Sequence, residues 1–268
     1  MNAVTVDLEE WYHVCAPGGQ PAVPMVPRRV QFATGRLLDL FSEYDVKATF
    51  FVLGSLAQAE PELIGLIAAK GHEIASHGWS HALLHDLTPE QFRDELMRTE
   101  ELLLRLTGCR PVGFRAPRWS LTGRTPWVHG ILAGLGYRYD SSMTPLPLIG
   151  DRHGSMVPFT VNTNNGPILE MPPLVTPTMF GNMPTGGGWG FRFFPFRMVT
   201  RAMERLNGAG HPAVIYIHPR EFDPEGPRLK LSPFADYVTY GSRSDAMPRV
   251  RQLLEKFKFK PMRELLPA

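Results

Sequence analysis

The sequence contains little that would place the chain across a membrane, on nucleic acid or in a disulfide-stabilised fold. Only two of its 268 residues are cysteines, too few for a disulfide framework, which suits a reducing compartment. No apolar stretch approaches the roughly 20 residues that span a bilayer, and the net charge of +2 indicates neither nucleic acid nor an acidic membrane surface as a partner. Residues 1–7 lack the basic and apolar regions of a secretory leader, so a cytoplasmic location is predicted.

The alternation of β-rich runs with helix-period segments predicts an α/β fold around a mostly parallel sheet. Predicted strands cover residues 3–6, 46–52, 72–75, 112–114, 137–139, 168–171 and 213–217, and predicted helices cover 31–44, 62–70, 89–106, 126–135, 197–206 and 245–257. The length fits one large domain or two small ones, and an α/β barrel would also fit it.

Two long segments have no regular pattern and are predicted to be loops. The first covers 14–30, and the second runs over 141–165 and resumes at 172–190, where it ends in a run of glycines at Gly186–Gly188 and Gly190. Loops of this length inside a compact domain are often functional. The glycine run lacks the Lys-Ser/Thr of a phosphate loop, which favours a flexible lid, a substrate-facing turn or a plain connection over nucleotide binding.

The most informative stretch is His77-Gly78-Trp79-Ser80-His81, which follows a short apolar run. Helical or turn geometry places side chains at i and i+4 on one face, so the two neutral imidazoles can bind one divalent metal ion. Two ligands do not hold a catalytic metal, so a third must come from elsewhere. His85 continues the four-residue spacing, but it precedes a predicted helix start and is interpreted as an ordinary histidine.

The acidic cluster Asp7-Leu8-Glu9-Glu10 at the end of the first predicted strand is the candidate for the third ligand. Side chains at i and i+2 of a strand point to the same side, so Asp7 and Glu9 pair while Glu10 points away. One carboxylate can then bind the metal while the other takes a proton from water. If the strand ends before Leu8, Glu10 could be the ligand instead, and a solvated acidic loop is the bland alternative.

Polar, reactive side chains stand at the carboxyl ends of successive predicted strands. They are Asp7, His77, Arg115, Asp140 and His218. In an α/β barrel these strand ends form the face on which active sites are built, so the sequence predicts that the five side chains cluster.

Five ordered motifs carry a resemblance to the polysaccharide deacetylase family with the NodB homology domain, also called carbohydrate esterase family 4. They are Val6-Asp7-Leu8-Glu9-Glu10-Trp11, Ser76-His77-Gly78-Trp79-Ser80-His81, Phe114-Arg115-Ala116-Pro117-Arg118-Trp119, Tyr139-Asp140-Ser141-Ser142 and Ile217-His218-Pro219-Arg220-Glu221. The glycine run and the tail over 228–265 resemble the subgroup found in bacterial exopolysaccharide and exosortase gene clusters. The resemblance covers nearly the whole chain.

This resemblance implies one catalytic domain over 1–268 with a distorted, incomplete (β/α) barrel, and a subgroup-specific extension over 219–268 packed on it. It also implies a divalent metal ion, expected to be zinc. The implied ligands are Glu9, His77 and His81; the implied general base is Asp7, held by Arg115; and the implied general acid is His218, oriented by Asp140.

The chain departs from the family pattern at three places. The first motif has Asp7-Leu8-Glu9 where the common form has two adjacent aspartates, the fourth lacks the usual tryptophan, and the fifth has Pro219 where many members have Asp or Ser. These departures bear on the substrate pocket more than on hydrolysis. Sugar rings stack on exposed aromatic faces, so Trp119 and Trp189, which lie in predicted loops, are the candidate substrate contacts.

The sequence therefore predicts a metal-dependent hydrolase that removes N-acetyl groups from an N-acetylated sugar or polysaccharide in bacterial exopolysaccharide biosynthesis. Two other interpretations remain open. In the second, the protein is a different hydrolase, because relatives with this fold open cyclic amides, as an allantoinase does, or deacetylate peptidoglycan. A catalytically silent carbohydrate-binding protein is the third reading, although retention of all the motif residues argues against it.

Overall fold

The structure is a computed structural model that describes residues 1–15, 28–146, 149–151, 153–241 and 245–267. The strands within these residues are β1 (Ala3–Leu8), β2 (Thr49–Val52), β3 (Glu73–Ser76), β4 (Gly113–Phe114), β5 (Tyr139–Asp140), β6 (Phe159–Thr163), β7 (Gly166–Glu170), β8 (Thr176–Thr178), β9 (Gly181–Met183) and β10 (Val214–Ile217). The α-helices are α1 (Trp11–Cys15), α2 (Val30–Glu43), α3 (Gly54–Ala59), α4 (Pro61–Ala69), α5 (Pro89–Thr107), α6 (Val128–Gly134), α7 (Gly188–Phe193), α8 (Phe196–Gly208), α9 (Pro233–Tyr240) and α10 (Met247–Lys256). Single 3₁₀ turns cover Leu84–Asp86, Pro117–Trp119, Pro219–Phe222 and Met262–Leu265.

One eight-stranded sheet organises the fold, in the order β10-β1-β2-β3-β4-β5-β7-β6. Every neighbouring pair is parallel except β6 and β7, which are antiparallel. The sheet curls into a half-barrel whose edges are β10 and β6, so the predicted distorted, incomplete barrel is confirmed. Because the seven parallel strands run the same way, their carboxyl ends meet at one edge of the sheet.

Burial explains why the central strands are apolar without alternation. All six residues of β1 and all four of β2 are buried, as expected for parallel strands covered on both faces. On one face, α2 packs its apolar stripe, which includes Leu37 and Phe41, into the main core. Helix α5 begins with a capping box between Thr88 and Gln91.

The predicted loops contain more structure than their sequence pattern indicates. The segment 141–165 includes β6, and 172–190 includes the β8–β9 hairpin and the start of α7. Of the predicted loop 14–30, residues 16–27 lie outside the described residues. Short helices such as α3 are not predicted from the sequence, because six residues are too few to show helical periodicity.

The C-terminal segment packs on the same core as the rest of the chain. Val250 and Leu253 of α10 belong to the main apolar cluster, and Met262 packs under β1 and β2 with Ala3 and Phe51. The assignment of 219–268 as a subgroup-specific extension stays a prediction. No helix among the described residues is both long and apolar enough to cross a membrane.

Candidate metal centre and active site

The two histidines of the second motif lie on a loop that follows β3, not on a helix. Positive φ angles at Gly78 and His81 turn the chain back on itself, so the two rings converge with their centroids 5.5 Å apart. Nδ1 of His77 lies 2.7 Å from the main-chain oxygen of Arg115, which fixes the ring and directs Nε2 to the other side. Burial lowers the pKa of His77 and so favours the neutral imidazole.

Glu95 on α5 holds this loop in place. Its carboxylate accepts hydrogen bonds from the main-chain N–H groups of Trp79 (3.0 Å) and Ser80 (3.3 Å) and from the Ser80 hydroxyl. The Trp79 ring packs so closely over Gly54 that a Cβ at that position would lie 2.4 Å from it. The loop is therefore anchored on two helices before any ligand is bound.

Glu9 completes a three-residue set with the histidines. One ligand atom from each of Glu9, His77 and His81 lies within 4.8 Å of the other two, and Glu9 and His77 are buried. Oε2 of Glu9 lies 2.8 Å from Nε2 of His81, yet this buried oxygen has no hydrogen bond of acceptable geometry. Burial opposes ionisation of Glu9, but the three nearby imidazoles, with His81 foremost, outweigh it and lower its pKa. Two imidazoles and one carboxylate, whose Oε2 has no hydrogen-bond partner, fit the ligand set of a divalent ion.

Glu10 does not belong to this set. Its carboxylate accepts hydrogen bonds from the main-chain N–H groups of Arg29 and Val30 at 3.1 and 3.2 Å, where α2 begins. The strand extends past Asp7 to Leu8, so the alternation that pairs Asp7 with Glu9 is present. Glu10 points away from the set, as the alternation predicts, and its carboxylate caps the start of α2.

Asp7 and Arg115 form a buried ion pair beside the set. Nη1 of Arg115 donates to Oδ1 of Asp7 at 2.6 Å and to the Thr5 hydroxyl at 2.8 Å, and Arg115 is fully buried. Its remaining donors bind Ser141, through the main-chain oxygen at 3.1 Å and the hydroxyl at 2.9 Å. Each guanidinium nitrogen thus has at least one partner, and Oδ2 of Asp7 is left facing the site.

His218, directly after β10, faces both carboxylates. Its Nε2 lies 3.8 Å from Oδ2 of Asp7 and 3.6 Å from Oε1 of Glu9. On its other side, Nδ1 lies 2.8 Å from Oε1 of Glu221. Burial disfavours the imidazolium, but the hydrogen bond and charge of Glu221, together with Glu9 and Asp7, outweigh burial and raise the pKa of His218.

Asp140 does not orient His218, which corrects that prediction. Its carboxylate accepts a hydrogen bond from the Ser142 hydroxyl and lies 3.1 Å from Nε2 of His129 on α6. Both of these partners hold the Asp140 carboxylate toward α6, and Nδ1 of His218 is instead engaged by Glu221. Glu221 has the position that the sequence analysis gave to Asp140.

His129, Asp140 and Glu170 form a second cluster, in which both carboxyl groups are buried and His129 is partly buried. Nε2 of His129 lies 3.3 Å from Oε2 of Glu170, and the other Glu170 oxygen accepts from the main-chain N–H groups of Ser142 and Met143. Burial opposes protonation of His129, but hydrogen bonds to the two carboxylates raise its pKa to about 10. Burial and the charge of Asp140 raise the pKa of Glu170 to about 8. A protonated His129 between these carboxyl groups balances the buried charge.

The two predicted aromatic contacts have different surroundings. The Trp119 ring meets the Tyr216 ring edge-on at 4.8 Å and lies 5.3 Å from the Arg115 guanidinium carbon, so it borders the site. Trp189, in contrast, stacks on Phe193 at 4.8 Å, and its substrate role stays a prediction. The glycine run packs against β10, because a Cβ on Gly187 would lie 2.1 Å from the main-chain oxygen of Tyr216.

Two residues beside the metal centre, Glu221 and His13, and one of the second cluster, His129, are not predicted from the sequence. Glu221 lies within the fifth motif, and its three-residue spacing from His218 on a 3₁₀ turn could have revealed it. His13 is buried, with its ring centroid 5.6 Å from that of His81, and its Nδ1 accepts from the main-chain N–H of Glu10 at 3.1 Å. Burial lowers the pKa of His13 to about 4. His129 pairs across 41 residues with Glu170, and no local pattern indicates such a contact.

Two family models match adjacent segments of the chain. Residues 26–139 match "Polysaccharide deacetylase", and residues 141–267 match "Domain of unknown function (DUF3473)". Each match is somewhat shorter than half of the chain. The boundary between them falls at Asp140, the last residue of β5.

Among curated proteins, the peptidoglycan-N-acetylglucosamine deacetylase of Bacillus cereus is 39% identical over 84 residues, which is 31% of this chain and 30% of that protein. The peptidoglycan deacetylase of Helicobacter pylori is 36% identical over 108 residues, or 40% of this chain and 36% of that protein. The chain thus spans about a third of the length of these two curated relatives.

Solved structures match over more of the chain. A putative polysaccharide deacetylase from Mycobacterium smegmatis has a TM-score of 0.59 and 25% identity, covering 87% of this chain and 75% of that one. The Puue allantoinase has a TM-score of 0.61 at 19% identity, covering 94% and 82%, and shows likeness of fold alone. Membership of the exopolysaccharide-associated subgroup stays a prediction. The family models and relatives together support a polysaccharide deacetylase domain of the NodB type in this chain.

Proposed function

We propose that the protein is a metal-dependent hydrolase that removes N-acetyl groups from an N-acetylated sugar or polysaccharide. One observation carries the proposal: two ionisable groups, Asp7 and His218, face the same small space as Glu9, His77 and His81. A single carboxylate–imidazole contact would suit a structural role. Five convergent groups with separate supporting contacts suit hydrolysis of an amide.

The residues divide the reaction between them. Glu9, His77 and His81 would hold the ion, which supplies a Lewis acid for the amide carbonyl and makes water more acidic. Asp7 accepts the proton of the attacking water through Oδ2, because Oδ1 is committed to Arg115. His218 donates a proton from Nε2 to the leaving amine, and Glu221 keeps the opposite nitrogen, Nδ1, protonated.

The sugar polymer is the finer part of the proposal. The motif resemblance favours an intermediate of bacterial exopolysaccharide biosynthesis. The two curated relatives, which are named as peptidoglycan deacetylases, favour N-acetylated peptidoglycan equally well. Both substrates present an N-acetyl group on a pyranose ring, and the border of the site at Trp119 suits stacking against such a ring. Zinc is the proposed ion, since imidazole and carboxylate ligands suit it.

The alternatives differ in what they require of the site. A cyclic-amide hydrolase would need the same ion and base, so the fold likeness to an allantoinase does not separate the two reactions. A catalytically silent protein would not need Glu221 behind His218 or Arg115 behind Asp7. The retention of both supporting contacts favours an active enzyme.

The test is a screen for product release with defined metal ions. Zinc-loaded protein is incubated with N-acetylglucosamine oligomers, N-acetylated peptidoglycan fragments and allantoin, and acetate and ring opening are measured in parallel. We expect acetate from at least one N-acetylated polymer and no ring opening. Ring opening of allantoin without acetate release would replace the proposal, and no turnover by protein that holds its full ion content would favour the silent reading.

A further inference from the structure

Two large apolar side chains stand exposed at the tip of the β8–β9 hairpin. Met179 is 90% exposed and Phe180 is 79% exposed, the highest values among the large apolar side chains of the described residues. Burying these two side chains would be favourable, because apolar surface would be transferred out of water. Adjacent exposed apolar residues on a projecting turn indicate contact with another apolar phase.

Hydrogen bonds hold the tip of the β8–β9 hairpin in its projecting conformation. The Thr178 hydroxyl donates to the main-chain oxygen of Gly181 at 2.7 Å and accepts from the main-chain N–H of Phe180 at 3.2 Å, which closes the turn. Asn182 donates to the main-chain oxygen of Pro145 at 2.7 Å and ties the hairpin to the body of the protein. The exposure of Met179 and Phe180 therefore follows from a hydrogen-bonded turn.

A row of arginines lies beside the base of the same hairpin. Arg197, Arg201 and Arg205 are exposed and one helical turn apart on α8, and with Thr176 and Pro177 they line a groove of about 350 Å³. Among the described residues, none of these three guanidinium groups has an ion pair or a side-chain hydrogen bond. Like charges four residues apart destabilise a helix. The row is thus an internal cost that an external anion would offset.

The small net charge of the chain does not exclude an anionic partner at this place. The value of +2 is a sum over 268 residues, and it hides a local group of three unpaired cations. A soluble polyanion would bind the arginines but would leave Met179 and Phe180 in water. A lipid surface satisfies both features, with phosphates for the arginines and the headgroup–acyl boundary for the apolar tip.

We propose that this face, formed by Met179, Phe180 and the arginines of α8, docks the protein on the surface of an anionic lipid bilayer. The topology gives the docking a use. Helix α8 leads into β10, which is parallel to β1, so α8 runs back from the carboxyl edge of the sheet and Arg197 lies at its start. His218 and Glu9 follow strands at that same edge, which brings the site near the membrane and near substrates held there.

The test is partition of the full chain into vesicles made of equal parts phosphatidylglycerol and phosphatidylcholine. We expect binding that is lost at high salt and is absent with phosphatidylcholine alone. The triple variant R197Q/R201Q/R205Q should partition on the order of a hundredfold less, since each arginine near an anionic surface contributes about fivefold. The double variant M179S/F180S should lose at least about tenfold, because two apolar groups no longer leave water.

Matched controls separate a docking face from general charge and stickiness. R93Q/R124Q/R138Q removes three exposed arginines elsewhere, and L66S/M97S removes two apolar side chains that are 47% and 52% exposed. Both control variants should bind like the wild type. Equal losses in test and control variants, or an absence of vesicle binding, would overturn the proposal. Binding to dextran sulfate but not to vesicles would overturn it in favour of a soluble acidic polymer.

Discussion

Nδ1 of His218 lies 2.8 Å from Oε1 of Glu221, and Glu221 belongs to the 3₁₀ turn that begins directly after His218. The contact directs Nε2 of His218 at Asp7 and Glu9. If His218 is the proton donor, then Glu221→Gln should lower kcat by about 10- to 100-fold, part of the roughly 10²–10⁴-fold that a positioned proton donor contributes. Steady-state assays with matched metal content measure the effect.

Asp140→Asn is the control for this first prediction, because the sequence assigns that residue the same role. Asp140 contacts His129 and Ser142 instead, so its variant should lose thermal stability and keep most of kcat at a temperature where it stays folded. A larger loss of kcat in Asp140→Asn than in Glu221→Gln would return the orienting role to Asp140.

Metal content distinguishes the two adjacent glutamates. Protein purified without chelator should hold about one divalent ion per chain, and His77→Ala, His81→Ala and Glu9→Ala should each lose it, because three protein ligands are needed for an open site. Glu10→Gln should keep the ion and lose unfolding free energy, since its carboxylate caps α2. Elemental analysis and thermal melts give both readouts. An ion retained by His77→Ala/His81→Ala would refute the centre.

The base role of Asp7 predicts a separation of binding from turnover. Asp7→Asn should retain the ion, because Asp7 is outside the ligand set, and should lose at least about 100-fold in kcat, as expected for removal of a general base. Acetate release and ion content are measured on the same preparation. Undiminished acetate release would make Asp7 a structural partner of Arg115.

The sequence predicts the convergent part of the site, because these residues lie at the ends of strands that can be recognised in the sequence. Asp7, His77, Arg115 and His218 each follow or end a parallel strand, so recognising the strands is enough to expect them at one edge. The pairing of Asp7 with Glu9 follows from alternation alone. The convergence of motif residues at strand ends can therefore be predicted from the sequence.

The contacts that support the site residues are harder to predict from the sequence, since they depend on which elements become neighbours in the fold. Glu95 reaches the His77 loop from α5, and Glu170 meets His129 across a strand and a helix. Neither contact has a periodic pattern. The motif order pairs Asp140 with the wrong histidine, because it does not reveal that the Asp140 carboxylate faces His129 on α6.

The cluster of His129, Asp140 and Glu170 should make stability depend on pH. The pKa of His129 is about 10 in the folded protein against 6.5 when unperturbed, so its contribution is complete below pH 6.5 and is lost as pH rises through 10. The raised pKa of Glu170 acts in the same direction, because the folded state keeps a proton that the unfolded state releases.

His129→Gln tests this cluster. It should cost up to about 3–5 kcal/mol of unfolding free energy near pH 6, where a buried charge partner is lost. The difference from the wild type should shrink above pH 10, where His129 is neutral in both states. Urea unfolding at the two pH values measures the change. A difference that is constant with pH would show that His129 acts through packing rather than charge.

Close packing of the glycine run against β10 predicts that a Cβ at Gly187 destabilises the protein, whereas a Cβ at Gly130, an uncrowded glycine on α6, should stabilise it. A Cβ on Gly187 would lie 2.1 Å from the main-chain oxygen of Tyr216, so Gly187→Ala should lose at least about 1–3 kcal/mol as the run is pushed off the edge strand. Gly130 lies within α6 with nothing within 4 Å of its would-be Cβ, so Gly130→Ala should gain about 0.5–1 kcal/mol from helix propensity. Thermal and urea unfolding of both variants measure this. A Gly187→Ala protein as stable as the wild type would mean that the run is a free loop, and Tyr216, which meets both Trp119 and His218, would lose its support on that side.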